Sequence, residues 1–596
     1  MNKLIKVLPS LGLWVHISRK EKIGLTFLVL LMLIAGLAEF ISIGLIIPFI
    51  GFILNPETIF NLEIAQPIIL ALGLDHPDQL LLPITILLII SATLSSLIRI
   101  TMLWFSTRLG YAISVDISSQ IFYKTLCQPY EIHVNRHSSE VIAGITNKSK
   151  AIVNSNITPL LNILSSAIMI IGIITILLAI NPLMTVFLFS IFAVIYILIA
   201  LITRKAMARN GLIASIESNQ VVRFLQEGLG NIRDVLISGT QKIYSDLFDI
   251  SNKKLARATA NIVITSGIPR FLIEGIAIII VALGAYFFID LNGNPSNIIP
   301  LAAAIVVSAQ RLLPLLQLIF ASVTSLRGGR APLRDVLELI NQSNPQDIAD
   351  QSNAILDFNK QIIFKHISFK YKNSNSLILQ DVNFEIPKGA TIGFMGETGS
   401  GKSTIVDILM GLLKPFEGEL LIDGNQITQA NVNAWQSKIS HVPQAIFIND
   451  SSIASNIAFG VPDNEIDLER VKHVAEVAQI HEAILVLEHG YNTVVGEMGA
   501  KLSGGQRQRI AIARALYRKF DVLVFDEATS ALDTKTEKDL MNAINALTPK
   551  PTIVMIAHRI STLENCDVIY ELNKGKILRY GDYNKMSSSN VDKDFD

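Results

Sequence analysis

The sequence predicts two halves of different class. An N-terminal all-α transmembrane domain of six helices is followed by an α/β domain built on a strand, a phosphate-binding loop and a helix. Three observations predict this. Long apolar runs occupy the chain before residue 340, and ordinary soluble composition follows residue 350. The stretch Gly396–Ser403 reads G-x-x-x-x-G-K-S between an apolar strand and a helical pattern. An apolar strand at 522–525 ends on the carboxylates Asp526 and Glu527. Half of the residues are hydrophobic, 17% are charged, and the net charge is zero, which argues against a general nucleic-acid binder. The two cysteines, Cys127 and Cys566, are too far apart in sequence for a C-x-x-C metal or redox motif.

Residues 1–340 are assigned to the membrane half. The N-terminal segment, interrupted by Lys6 and without a small-residue cleavage site, reads as a short amphipathic helix on the membrane face. Hydropathy places six spans near 23–54, 80–108, 157–180, 183–203, 262–290 and 297–326. Several exceed the ~20 residues that cross a bilayer, so they extend into the cytosol as helices. The connections at 55–79, at the turn Asn181–Pro182 and at 290–297 carry no Lys or Arg. The other connections are basic, with Arg108, Lys124, Arg136, Lys148 and Lys150 in one and a basic series from Arg204 to Arg257 in the next. The positive-inside rule therefore puts both termini, and the domain that follows, in the cytoplasm. Reversals are expected near Tyr130–Ser138 and Gly230–Gly239.

A linker at 341–354 leads to a nucleotide-binding domain at 355–582. Gly396, Glu397, Thr398, Gly399, Ser400 and Gly401 form a loop whose backbone N–H groups point inward at phosphates. Lys402 supplies charge to the β and γ phosphates, Thr404 follows in the helix, and the Ser403 hydroxyl is placed for Mg²⁺. Asp526, at the strand end, is the candidate to hold Mg²⁺ through water. Glu527 is the candidate to orient or deprotonate the attacking water. Ser503, Gly504, Gly505 and Gln506 open a further helix whose free N–H groups would bind a second phosphate. One nucleotide already has its loop, so this second cradle calls for another nucleotide.

These motifs together resemble the ATPase domain of ABC transporters over about 355–582. The resemblance implies ATP and Mg²⁺ as cofactors, and a signature loop at Ser503–Gln506 that serves the nucleotide of a partner subunit. It implies that Tyr371 stacks on adenine and that Gln444 contacts the metal and the attacking water. It places Ser530–Asp533 between subunits and gives His558 the γ-phosphate. One membrane half and one ATPase half make half of each composite site, so the chain is expected to dimerise; intact Glu527 and signature loop favour a homodimer, with a similar partner chain left open. Residues 583–596, rich in Ser, Asn and Asp, read as a disordered polar tail.

Three arginines lie inside the apolar spans: Arg99, Arg270 and Arg311. At ~1.5 Å per helical residue, Arg270 sits roughly 12 Å from the cytoplasmic face, and Arg99 and Arg311 roughly 20–28 Å from the outer face. Such charges need a partner or a purpose. Guanidinium forks suit phosphate oxygens. Glu274, one turn from Arg270, offers a purely structural explanation for that residue, and snorkelling offers one for Arg99. Glu39 is a further candidate for a buried acid.

The stretches GLAEFISIGLIIPFI, IPRFLIEGIAI and AQRLLPLLQLI resemble bacterial ABC flippases of lipid-linked oligosaccharides. That resemblance implies an inner-membrane protein whose cavity arginines, here Arg99, Arg270 and Arg311, hold the diphosphate of a polyprenyl-linked glycan. Export of a glycolipid, peptide or hydrophobic drug remains open, as does an ATP-gated channel or regulator.

Overall fold

The computed structural model describes residues 9–588 except 55, 61–65, 67–68, 71–72, 181, 293–297, 343–355, 373–375, 529–531 and 558. The chain divides into two compact units, residues 1–126 with 136–343, and residues 127–135 with 344–596.

The first unit is all helix. Its long helices are α1 (Arg19–Leu54), α2 (Leu81–Leu126), α4 (Thr158–Ile180), α5 (Pro182–Gly230), α7 (Gln241–Asn292) and α8 (Ile298–Gly328). Each of the six predicted spans overlaps one of these helices. Three run 46, 49 and 52 residues, longer than any bilayer needs, as the basic ends of the spans require. Among the described residues, four helical stretches are long and apolar enough to cross a membrane: Arg19–Ile53, Pro77–Leu126, Ser138–Ile176 and Phe189–Gly230. Leu312–Gly328 and Arg330–Ile340 make a fifth if counted together across their 54° bend.

Short helices stand where reversals are expected: α6 (Ile232–Ile237) in this unit, and α3 (Tyr130–Val134) among the residues of the second unit. Pro182 opens α5, a position where a missing N–H is harmless. Pro48, Pro269 and Pro314 lie inside α1, α7 and α8. Within this unit α5 packs along α7, α1 along α2, and α4 against α8. The N-terminal 3₁₀ helix Pro9–Val15 buries Leu13 beside Leu333, Val336 and Ile340 of α9 (Arg330–Ile340).

The second unit holds two sheets. An antiparallel sheet has the order β2-β1-β4-β5, formed by β1 (Gln361–Phe369), β2 (Leu379–Pro387), β4 (Glu417–Ile422) and β5 (Asn425–Gln426). Strand β2 alternates buried and exposed residues, as a strand with one solvated face does. The larger sheet has the order β10-β9-β3-β8-β7-β6. Its members are β3 (Thr391–Gly396), β6 (Ile439–Val442), β7 (Val522–Asp526), β8 (Thr552–Ile556), β9 (Val568–Asn573) and β10 (Lys576–Gly581). Strands β6, β7, β8, β3 and β9 pair in parallel, and β8 is buried at every residue. Continuous apolar runs such as Val522–Phe525 suit a sheet covered on both faces.

The predicted disordered tail begins too early. Residues Tyr583–Ser588 form α13, whose Met586 is fully buried in the domain core. Asp582 accepts from the Lys585 backbone N–H at 2.9 Å and starts the helix. Composition hid this because one buried methionine and a cap are enough to anchor a short polar helix.

Candidate functional site

The phosphate loop joins β3 to α10 (Lys402–Leu409). Gly396 has φ 147°, and a Cβ there would lie 2.3 Å from the Leu572 carbonyl oxygen. Gly401, at φ 106°, is the residue from which α10 starts. Only glycine adopts these conformations without strain, so the motif's glycines are a backbone requirement. The N-terminus of α10 then presents its free N–H groups to the loop, as a phosphate site requires. The buried Ser400 hydroxyl has no hydrogen-bond partner among the described residues, which fits a loop built to meet a polar ligand. Lys402 Nζ donates to the carbonyls of Gly396 and Glu397 at 2.7 and 2.9 Å. Burial lowers the pKa of Lys402, while Glu527 and Asp526 oppose that shift.

Strand β7 delivers Asp526 and Glu527 to the same place. Burial raises the Asp526 carboxyl, the neighbouring Glu527 adds to it, and Lys402 opposes. Glu527 adopts φ 53°, a left-handed conformation that a glutamate rarely takes outside a constrained site. Its backbone N–H donates to the Ile556 carbonyl, and its carboxylate accepts from Gln444 Nε2 at 2.7 Å. The structure thus brings the loop Gly396–Gly401 and Lys402 close to Asp526 and Glu527, with Gln444 bound to Glu527 and Ser403 next in α10.

The Ser503 segment is built as a helix start. Ser503 Oγ accepts from the Gln506 backbone N–H, and Gln506 Oε1 accepts from the Ser503 N–H, a reciprocal capping box for α11 (Gly504–Tyr517). Tyr371 packs edge-on against Phe369 at 5.1 Å between ring centres. Asp533 caps α12 (Thr534–Asn545) by accepting from the Thr536 N–H. His558, residues 530–531 of the predicted loop Ser530–Asp533, and the side chain of Arg311 lie outside the described residues.

Asp407, in α10, was not singled out from the sequence. Burial raises its pKa to about 6, with Asp526 contributing. The available signal was one acid inside the apolar helix IVDILMGLL.

In the membrane unit, Arg99 lies 3.5 Å from Glu39, which is itself buried and accepts from Ser95 Oγ at 2.8 Å. Arg270 donates to Glu274 at 3.1 Å. Both arginines remain well exposed, at 45% and 61% of their side chains.

Comparison with known proteins agrees with this arrangement. Residues 25–309 match the family of the ABC transporter transmembrane region, and residues 379–530 match the ABC transporter family. An ATP-dependent lipid A-core flippase of Nitrosococcus oceani is 29% identical over 475 residues, covering 79% of this chain and 78% of that protein. The lipid A-core flippase of Yersinia pestis is 28% identical over 551 residues, covering 90% and 92%. A toxin RTX-III translocation ATP-binding protein of Actinobacillus pleuropneumoniae is 44% identical over 225 residues; that match spans 38% of this chain and only 31% of that protein. The structure of a bacterial Atm1-family ABC exporter with ATP bound superposes with a TM-score of 0.80, covering 96% of this chain and 97% of that one at 24% identity.

Proposed function

The chain belongs to the ABC transporters, as an exporter half-transporter that couples ATP hydrolysis to transport, and from that premise we propose that it flips a lipid-linked anionic cargo, a polyprenyl-diphosphate oligosaccharide. The observation that carries the cargo reading is the state of Arg99 and Arg270. Each sits inside an apolar helix, each has a carboxylate partner, and each keeps much of its guanidinium exposed. Partly exposed arginines at membrane depth suit a diphosphate, which takes forked hydrogen bonds. Arg311 completes the set by its place in α8. The flippase relatives, matched over most of their length, support a lipid cargo over a polypeptide.

The working unit is a homodimer. Lys402, Gln444, Asp526 and Glu527 hold one side of a nucleotide, and Ser503–Gln506 of the second copy close the other side. Ser403, Gln444 and Asp526 would hold Mg²⁺, which would supply positive charge to neutralise developing charge on the γ-phosphate. Tyr371 stacks on adenine and His558 faces the γ-phosphate. Glu527 orients the attacking water and accepts its proton. Both ATPase domains and all four termini of the dimer lie in the cytoplasm, and the spans cross a bacterial inner membrane.

The test is ATPase stimulation in proteoliposomes. Polyprenyl-diphosphate oligosaccharide should raise turnover, and an exported peptide should not. Stimulation by peptide alone would overturn the cargo reading. Ionic current without lipid movement would mark a channel instead.

A further inference from the structure

An open groove of about 520 Å³ runs along α2 beside α1, lined by Trp104, Phe105, Arg108, Leu109, Tyr111 and Val115 among others. Two contacts set α1 alongside it. The Phe27 ring meets Phe105 edge-on at 5.2 Å, and Leu109 packs so close to Gly24 that a Cβ there would lie 3.0 Å from it. The one charge of the groove is Arg108, whose guanidinium lies 5.4 Å from the centre of the Trp104 ring, within cation–π range. Among the described residues Arg108 has no carboxylate partner and no acid lines the groove. Trp104, Tyr111 and Val115 stay 59%, 48% and 67% exposed.

The depth of this stripe points to its neighbour. Arg108 closes the predicted span 80–108, so the stripe straddles the cytoplasmic boundary of the bilayer. At ~1.5 Å per residue Trp104 lies about 6 Å inside that boundary and Val115 about 10 Å outside it. A tryptophan and an arginine one turn apart at this level suit the headgroup region. Lys20, seven residues before Phe27 in α1, falls on the same helix face and adds a second positive charge toward the cytoplasm. The helix Pro9–Val15 is tied to α2 on that side, where Gln120 Nε2 donates to the His16 carbonyl at 3.0 Å. It leaves Trp14 and Val15 exposed. Exposed apolar side chains on both elements suit a lipid surface.

We propose that the groove is a resident-lipid site for an anionic phospholipid of the cytoplasmic leaflet. The phosphodiester accepts from the edge of the Arg108 guanidinium while its face stays on Trp104, and an acyl chain runs past Phe105 and Phe27 into the bilayer. The stacked ring holds the guanidinium in place, so less side-chain freedom is lost when the phosphate binds. An anionic headgroup meets positive charge with no acid to repel it, whereas a zwitterionic one brings its own cation toward Arg108. The site is separate from the arginines assigned to cargo. Arg99 lies nine residues from Arg108, on the opposite side of α2, where it faces Glu39.

Tryptophan quenching by brominated lipid tests this. The chain has three tryptophans, and Trp435 is fully buried in the ATPase unit. In a Trp14→Phe background Trp104 is therefore the tryptophan that membrane lipid reaches. The full chain in phosphatidylcholine nanodiscs receives a rising share of phosphatidylglycerol brominated on its acyl chain, or of phosphatidylcholine brominated in the same way. Half-maximal quenching should come at a mole fraction about fivefold lower for the brominated phosphatidylglycerol. Arg108→Gln should remove most of that preference, and Arg108→Lys should keep part of it. Equal quenching curves for the two lipids in the Trp14→Phe protein would mean ordinary bilayer contact and overturn the proposal without any change at Arg108. No quenching by either lipid would mean that protein, such as a second copy of this chain, covers the groove, and would overturn it too. So would an unchanged preference in an Arg108→Gln protein that keeps its basal ATPase activity.

Discussion

Gln444 Nε2 donates to Glu527 Oε2 at 2.7 Å, tying the segment after β6 to the carboxylate at the end of β7. Parallel pairing of these two strands, from Ile439 with Val522 to Val442 with Phe525, sets the two side chains on the same edge of the sheet. Glu527 therefore sits next to the residue proposed to contact Mg²⁺ and water, in a conformation held by its bond to Ile556.

Glu527→Gln should lower steady-state ATPase activity by about 10²-fold or more, the usual contribution of a positioned general base. ATP should remain bound, since the loop, Lys402 and Asp526 are untouched. Activity within about twofold of wild type would refute the assigned role.

Lys402→Ala and Ser503→Arg damage opposite sides of one nucleotide sandwich. In a mixed dimer with one change per subunit, both defects fall on the same sandwich and the other stays intact. Nucleotide trapping should then report one occupied site per dimer. Two equivalent sites, or none, would contradict head-to-tail pairing.

The raised pKa of Asp407, about 6 against 3.8, gives a pH dependence with a definite sign. The folded state holds this proton more tightly than the unfolded chain. Its contribution to stability is complete below about pH 4 and is lost as pH rises through about 6. Asp407→Asn should thus raise the Tm by about 2–4 °C at pH 8, with the gain shrinking at pH 5. Equal Tm differences at both pH values would show that Asp407 carries no such shift.

Glu39→Ala should destabilise the membrane unit by about 1–3 kcal/mol, because Arg99 and the Ser95 hydroxyl lose their acceptor. The double change Glu39→Leu with Arg99→Met should recover much of that loss, because it leaves neither an unpaired guanidinium nor a buried carboxylate behind. Melting curves in detergent would decide; a double variant as unstable as Glu39→Ala would argue against pairing as the cause.

The ATP site was legible because its chemistry is local. Gly396–Ser403 is contiguous, and Asp526 and Glu527 end an apolar strand that can go nowhere but the sheet beside β3. The long apolar helices were legible because hydropathy acts over long windows. What sequence could not supply were contacts between helices. Ser95 reads as one small residue among many until α2 lies along α1 and brings it to Glu39. Tyr196 reads as an ordinary aromatic until α5 meets α8 and sets its ring 5.6 Å from that of Phe320. The helix at Tyr583–Ser588 was hidden in the same way, since its anchor Met586 matters only once a core exists to receive it.

The most direct test of the cargo claim is flipping of a polyprenyl-diphosphate oligosaccharide in proteoliposomes, with basal ATPase measured on the same preparation. Wild-type protein should flip it with ATP and Mg²⁺. Arg311→Ala should flip poorly while basal ATPase survives, and Arg311→Lys should be partly active because charge remains but the fork is lost. Wild-type flipping by a well-folded Arg99/Arg270/Arg311 triple alanine variant would contradict the claim that these arginines hold the cargo.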